Sequence, residues 1–104
     1  MSELYTKIYS IVAKIPSGIV ASYGDVAKAA GLQNGARVVG WALRRLPAEV
    51  EIPWWRVINA KGYISIVNPS VTPTQQKILL EKEGVKFIVK EDLFYLQNPK
   101  WNKF

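Results

Sequence analysis

Residues 22–46 read Ser22-Tyr23-Gly24-Asp25-Val26-Ala27-Lys28-Ala29-Ala30-Gly31-Leu32-Gln33-Asn34-Gly35-Ala36-Arg37-Val38-Val39-Gly40-Trp41-Ala42-Leu43-Arg44-Arg45-Leu46. Ser22 with Asp25 three residues on has the form of a capping box, and Gly31 is able to end a helix in the left-handed conformation. The spacing predicts a short helix through Ala29, a connection from Leu32 to Gly35, and a second helix from about Ala36 to Leu46, ended before Pro47. Two short helices joined by a Gly-containing link have the form of a helix-turn-helix. On the second, Arg37, Gly40, Trp41 and Arg44 are spaced to share one face, and Val38, Val39, Ala42 and Leu43 supply the opposite, buried side. Arg at both ends with Gly between allows close approach to a phosphate backbone. An ordinary solvated basic face is the plainer alternative.

Working outward, Leu4, Tyr5, Ile8, Ile11, Val12 and Ile15 recur at helical spacing, which predicts an amphipathic helix over residues 3–14, stopped by Pro16. Beyond the pair of helices, Trp55 to Asn59 and Tyr63 to Ile66 are β-prone runs joined by Ala60-Lys61-Gly62, with Gly where a positive φ is expected. A hairpin after a helix-turn-helix is the form of a winged helix. The expected fold class is therefore α+β, a winged-helix-like domain with a helix-turn-helix and a β-hairpin wing. Thr72, Pro73 and Gln75 open a third long helix that closes at Glu83-Gly84. Val85 to Val89 reads as one more strand and Leu93 to Leu96 as an apolar anchor. The tail from Gln97 to Phe104, with Lys100, Trp101 and Lys103, is either docked or loose.

The chain has 104 residues, with 14 Lys plus Arg against 8 Asp plus Glu, and contains neither cysteine nor histidine. One domain, residues 1–104, is expected at this length. The two missing residue types exclude a thiolate nucleophile, a disulfide, a Cys/His zinc site and a His-based relay. Neither metal nor cofactor is expected. The apolar runs are far short of the roughly 20 residues that span a bilayer, and the first residues lack the pattern of a signal peptide. A soluble, cytoplasmic protein with no membrane partner is expected, nucleoid-associated if bacterial. Between residues 37 and 61, Arg37, Arg44, Arg45, Arg56 and Lys61 outnumber Glu49 and Glu51, a local net of +3 against a total of +6. Charge concentrated there favours a nucleic-acid partner, without choosing DNA over RNA. An enzyme using Tyr23 or a Lys finds little support, since Asp25, Glu81 and Glu83 all have helix-capping or surface explanations.

The segment Ile52-Pro53-Trp54-Trp55-Arg56-Val57-Ile58 is unusual, because two indoles follow a proline at the entrance to a strand. One Trp in the core and one packed on the surface is the plain reading; an aromatic pocket for a planar group such as a base is the functional one. The segment resembles the Ile-Pro-Cys-His-Arg-Val signature of the O6-alkylguanine-DNA alkyltransferases, with Trp54 in the place of the alkyl-accepting Cys and Trp55 in that of the His. Other pieces fall in order. Ser22 to Ala27 resembles the family's Ser-Tyr segment, Ala36 to Ala42 its Ala-Arg-Ala-Val-Gly-x-Ala recognition helix, Asn68-Pro69-Ser70 its Asn-Tyr-Ser loop, and Lys77 to Gly84 its Lys-x-x-Leu-Leu-x-x-Glu-Gly helix. Trp in place of the reactive Cys is the mark of the alkyltransferase-like proteins, the closer match over residues 5–88.

That resemblance implies a non-enzymatic DNA-damage recognition protein. It would bind and flip O6-alkylguanine in double-stranded DNA, bend the duplex, and mark the lesion for nucleotide excision repair proteins, as a monomer. It assigns Tyr23 to rotating the lesion's phosphate and Arg37 to the finger that fills the vacated stack, with Gly40, Trp41 and Arg44 on the DNA-binding face. Trp54, Trp55, Arg56, Asn68 and Ser70 would form or support the lesion pocket, Arg56 by holding the loop. Leu46-Pro47 replaces the family's Asn-Pro, so that Asn's role does not transfer. Glu83 matches a Glu that orients the His, and with no His its relay role is expected to be empty. Indole nitrogen carries a donor and no acceptor, so Trp54 cannot replace a thiolate. The competing expectation is a winged-helix transcription regulator reading base edges, which the face around Gly40, poor in Asn and Gln, does not favour.

Overall fold

The computed structural model describes residues 2–66 and 70–104. Helix α1, Glu3–Val12, starts at Ser2, whose hydroxyl accepts the Tyr5 N–H. It buries Ile8, Ile11 and Val12, and Ile15 follows them into the core before Pro16. Helix α2, Tyr23–Ala29, starts where the sequence predicts: the Ser22 hydroxyl accepts the Asp25 N–H at 3.0 Å, and Gly31 takes φ +81° just past the last turn. Helix α3, Ala36–Arg44, packs on α2 and α1, with Val39 and Ala42 fully buried and Val38 and Leu43 half-buried. Helix α4, Pro73–Glu81, has the complete capping box, the Thr72 and Gln75 side chains each accepting the other's backbone N–H.

Two short sheets join these helices. Strand β1, Ala21–Ser22, pairs in parallel with β2, Val57–Ile58, with Ala21 opposite Val57 and Ser22 opposite Ile58. Strands β3, Phe87–Lys90, and β4, Leu93–Leu96, form an antiparallel hairpin. The described residues therefore make a small α+β fold of four helices and two two-stranded sheets. One core gathers α1, α2, α3 and Val57; a smaller one joins Val20, Ile58, Leu80 and Leu96.

The region after α3 departs from expectation. Trp54–Arg56 forms a 3₁₀ turn, and the strand following it pairs with β1 rather than with residues 63–66. The turn over 59–62 is present, with Gly62 at φ +87° and the Asn59 N–H donating to Tyr63 O at 3.2 Å. Tyr63 then bridges to Tyr95 of β4. The two runs thus do not extend into a two-stranded wing, because each finds a strand from elsewhere in the chain. Leu93 to Leu96 is a strand and not merely an anchor. The tail is docked: the Val20 N–H donates to Lys100 O at 3.0 Å, and the Asn102 N–H to Val20 O at 2.7 Å.

Candidate nucleic-acid interface

A cavity of about 830 Å³, open on one side, lies between the start of α2, the outer face of α3, the 3₁₀ turn and the loop around residues 59–61. Tyr23 and Gly24 line it from α2, and Arg37, Gly40, Trp41 and Arg44 from α3, with Trp54, Lys61 and Ser70 on the surrounding turns and loops. The α3 residues arrive together because three- and four-residue spacing places them on one side of the helix, opposite buried Val39 and Ala42. Arg37, Arg44 and Lys61 give this wall three cations, and among the described residues no Asp or Glu lines it. A concave, basic, partly aromatic surface suits a polyanion carrying a planar group.

Gly40 has an informative environment. A Cβ built there meets nothing within 4 Å. Gly in mid-helix costs about 1 kcal/mol relative to Ala, so the packing of this chain gives no reason for its presence. The space above it is open to an approaching molecule.

The backbone aims Trp54 at the cavity. Pro53 sits at φ −77° and ψ 65°, and the Trp54 N–H donates to Ile52 O at 2.8 Å, an inverse γ-turn that leads into the 3₁₀ turn. With about three residues per turn, consecutive side chains in a 3₁₀ segment diverge by about 120°. Trp54 and Trp55 accordingly part: their rings meet edge to face, centroids 5.8 Å apart at 87°. Trp54 lines the cavity while Trp55 and Arg56 do not.

Trp55 and Arg56 instead converge on Glu83. The Trp55 Nε1–H donates to Glu83 Oε2 at 2.9 Å, and Arg56 donates from Nη2 to the same oxygen at 2.6 Å and from Nε to Oε1 at 3.0 Å. The Gly18 N–H donates to Oε1 at 3.0 Å, and Arg56 Nη1 to Ile15 O at 2.6 Å. Gly18 is at φ +78°, and a Cβ there would come 3.3 Å from Glu83 O. Burial pushes the Glu83 carboxyl's pKa up, but the hydrogen bonds from Arg56, Gly18 and Trp55 and the Arg56 charge together hold it below its ordinary value. The helix-capping or surface explanation expected for Glu83 is corrected: its carboxylate is the hub that ties the turn after α1, the 3₁₀ turn and the end of α4 together. The sequence does not mark this, because the donors come from residues far away along the chain.

Gln76, buried on α4, makes a second tie. Its Nε2 donates to Trp55 O and Val57 O, each at 3.0 Å, fixing the segment behind Trp54 from below. The sequence offered only an amphipathic helix position for it. Of the other expected site residues, Ser70 lines the cavity, and Asn68 lies outside the described residues. Burial raises the pKa of the Tyr23 hydroxyl, which keeps it a neutral donor at the cavity edge.

Among the described residues no group of three His, Cys, Asp or Glu is placed to hold a metal ion. No helix among them is long and apolar enough to cross a membrane.

Residues 3–85 match the family model for the DNA-binding domain of 6-O-methylguanine DNA methyltransferase. The chain is 45% identical over 86 residues to alkyltransferase-like protein 1 of Schizosaccharomyces pombe, covering 83% of this chain and 80% of that one. To the DNA base-flipping protein of Escherichia coli it is 43% identical over 96 residues, 92% of this chain and 72% of the relative. The fold superposes on S. pombe Atl1, crystallised in complex with damaged DNA containing O6-carboxymethylguanine, with a TM-score of 0.87, 40% identity, and coverage of 99% and 98% of the two chains.

Proposed function

The chain belongs to the family of the 6-O-methylguanine DNA methyltransferase DNA-binding domain, and on that premise we propose that it recognises O6-alkylguanine in duplex DNA by extruding the base, without repairing it. The observation that carries this reading is the basic cavity bounded by Tyr23, Arg37 and Trp54, in a chain that has no cysteine to accept an alkyl group. Helices α2 and α3 act as the helix-turn-helix, and the turn over residues 59–62 serves as the short remnant of a wing at the cavity's edge.

Extrusion of a base costs a few kcal/mol in lost stacking and pairing, least for a damaged base that pairs poorly. Arg37 stands exposed at the start of α3, where its planar guanidinium stacks in the vacated position while remaining close to phosphates. Tyr23, a neutral donor, holds the phosphate of the rotated nucleotide. The extruded base meets the Trp54 indole, and base-on-aromatic stacking returns about 1–3 kcal/mol. Ser70 supplies a polar edge on the opposite wall. Gly40 lets the duplex come close to α3, and Arg44 and Lys61 neutralise phosphates beside it. Trp55 and Arg56 act from beneath, through Glu83, by fixing where Trp54 stands. The bound, uncorrected lesion is then handed to nucleotide excision repair proteins.

Paired duplexes differing only by O6-methylation test this. Tighter binding to the methylated duplex, with the protein's mass and the DNA methyl group unchanged afterwards, is expected. Equal affinity for both duplexes overturns the recognition, and a mass gain on the protein overturns the absence of transfer.

A further inference from the structure

Helix α3 carries an indole that the packing does not use. Trp41 is 44% exposed on the cavity side of the helix. Among the described residues no ring or cation lies against it, whereas Trp55 has both the Trp54 ring and the Arg56 guanidinium, 5.5 Å from its centroid. On one side is the bare surface over Gly40, and Arg37 and Arg44 flank it four and three positions away on the same helix face. An apolar ring framed by cations, at a place where the helix has shed its own Cβ, is not a surface suited to an apolar protein partner.

Resting on the reading of α3 as the duplex-binding helix, we infer that Trp41 is an apolar wedge on the base step next to the extruded nucleotide, and that it makes recognition depend on how easily that step unstacks. The charge of the face fixes the occupant: Arg37, Arg44 and Lys61, with no acidic residue along the wall among the described residues, call for a phosphate-lined partner. The helix fixes the distance. Side chains four apart on a helix have Cβ atoms about 5–6 Å apart, and base pairs rise about 3.4 Å along a strand. That separation falls between one and two base rises, so with Arg37 in the vacated position the large Trp41 ring reaches the stack beside it. Apolar side chains that enter a step partly unstack and kink it. Pyrimidine–purine steps such as TA yield easily, and A-tract steps resist. The result is a context preference produced without any hydrogen bond to a base edge.

The test titrates the intact protein against four duplexes, carrying O6-methylguanine or guanine, each with a neighbouring TA or AA step. The wild type is expected to bind the lesion beside TA about fivefold more tightly than beside AA. Trp41→Ala is expected to lose about tenfold in affinity for the lesion beside TA and to bring the ratio between contexts to about one. Trp41→Phe, which keeps a ring, stays within about threefold of wild type in the TA duplex. Trp101→Ala removes an indole outside the cavity and leaves both values unchanged. Three outcomes overturn the wedge: Trp41→Ala matching wild type, Trp41→Ala losing affinity equally on all four duplexes with the context ratio kept, or a wild type indifferent to context. A wild type that binds guanine and O6-methylguanine duplexes alike overturns instead the function on which the wedge rests.

Discussion

Trp54 and Trp55 are neighbours in sequence with opposite surroundings. Trp54 borders an open, basic cavity; Trp55 points into a closed network in which one carboxylate takes donors from an indole, a guanidinium and a backbone amide. Around Trp54 and α3 the surface carries features its own packing does not explain: exposed Arg37, exposed Trp41, and a mid-helix Gly with empty space above it. Around Glu83 both carboxylate oxygens are bonded, and the Arg56 and Glu83 side chains are only 15% and 11% exposed. The contrast separates residues kept for what they hold inside the molecule from residues kept for what they meet outside it.

The largest effect expected comes from breaking the inner network. Glu83→Ala leaves the mostly buried Arg56 charged without its carboxylate partner, and breaking a buried pair in this way costs about 3–5 kcal/mol; urea unfolding should show the midpoint fall by a corresponding amount. Acid sharpens the assignment. Because the Glu83 pKa in the folded chain lies below its ordinary value of 4.5, its contribution is fully present above that pH and is lost as pH falls through the lower, folded-state value. The stability gap between wild type and Glu83→Gln should therefore narrow steadily on acidification below 4.5, and a gap independent of pH there would show that the carboxylate's charge is not what holds the turn.

On the outer side, Arg37→Ala should leave the unfolding midpoint within about 0.5 kcal/mol of wild type, as exposed substitutions do. It should nonetheless reduce the preference for O6-methylguanine over guanine duplex about tenfold, more than it weakens general salt-sensitive binding. Equal losses on both duplexes would reduce Arg37 to a phosphate contact. The smallest effect is the most discriminating. Gly40→Ala should raise stability by about 0.5–1 kcal/mol, since Ala is the better helix former and the added methyl meets nothing. The same change should weaken duplex binding severalfold, measured by fluorescence anisotropy. A variant stabilised with unchanged affinity would mean that nothing approaches α3 at that point.

Local signals carried the helices well. Ser22 and Thr72 sit at their caps, Gly31 lies just beyond α2, and the face of Arg37, Gly40, Trp41 and Arg44 lines one cavity. What the sequence left hidden was the choice of partners over long separations. The β-prone run ending at Asn59 has an obvious neighbour four residues on, yet Val57 and Ile58 pair with Ala21 and Ser22, where both sides of the ribbon are buried. The β3–β4 turn was invisible because Glu91 and Asp92, both at positive φ, make it without the Asn-Gly or Asp-Gly signal. Trp55 reads as a pocket residue because adjacency on the chain conceals the rotation a 3₁₀ turn imposes, whereas Arg56, expected to hold the loop, bonds to Glu83 and Ile15 O. Gln76 has no visible role in the sequence and Glu83 has one only through the resemblance, since hydrogen bonds to distant backbone groups and an indole leave no periodic mark.

The parallel ladder of β1 with β2 also bears on how the molecule comes into being. Ser22, which starts the helix carrying Tyr23, lies opposite Ile58, just past the turn carrying Trp54. Parallel strands demand a long crossover, and here the crossover is α2 and α3 themselves, so this pairing carries the entropy cost of closing a long loop that the packed helices shorten. The two walls of the cavity are tied together by that one ladder, and a chain halted on the ribosome before Ile58 emerges would carry α3 without the pairing that fixes the turn of Trp54 beside it.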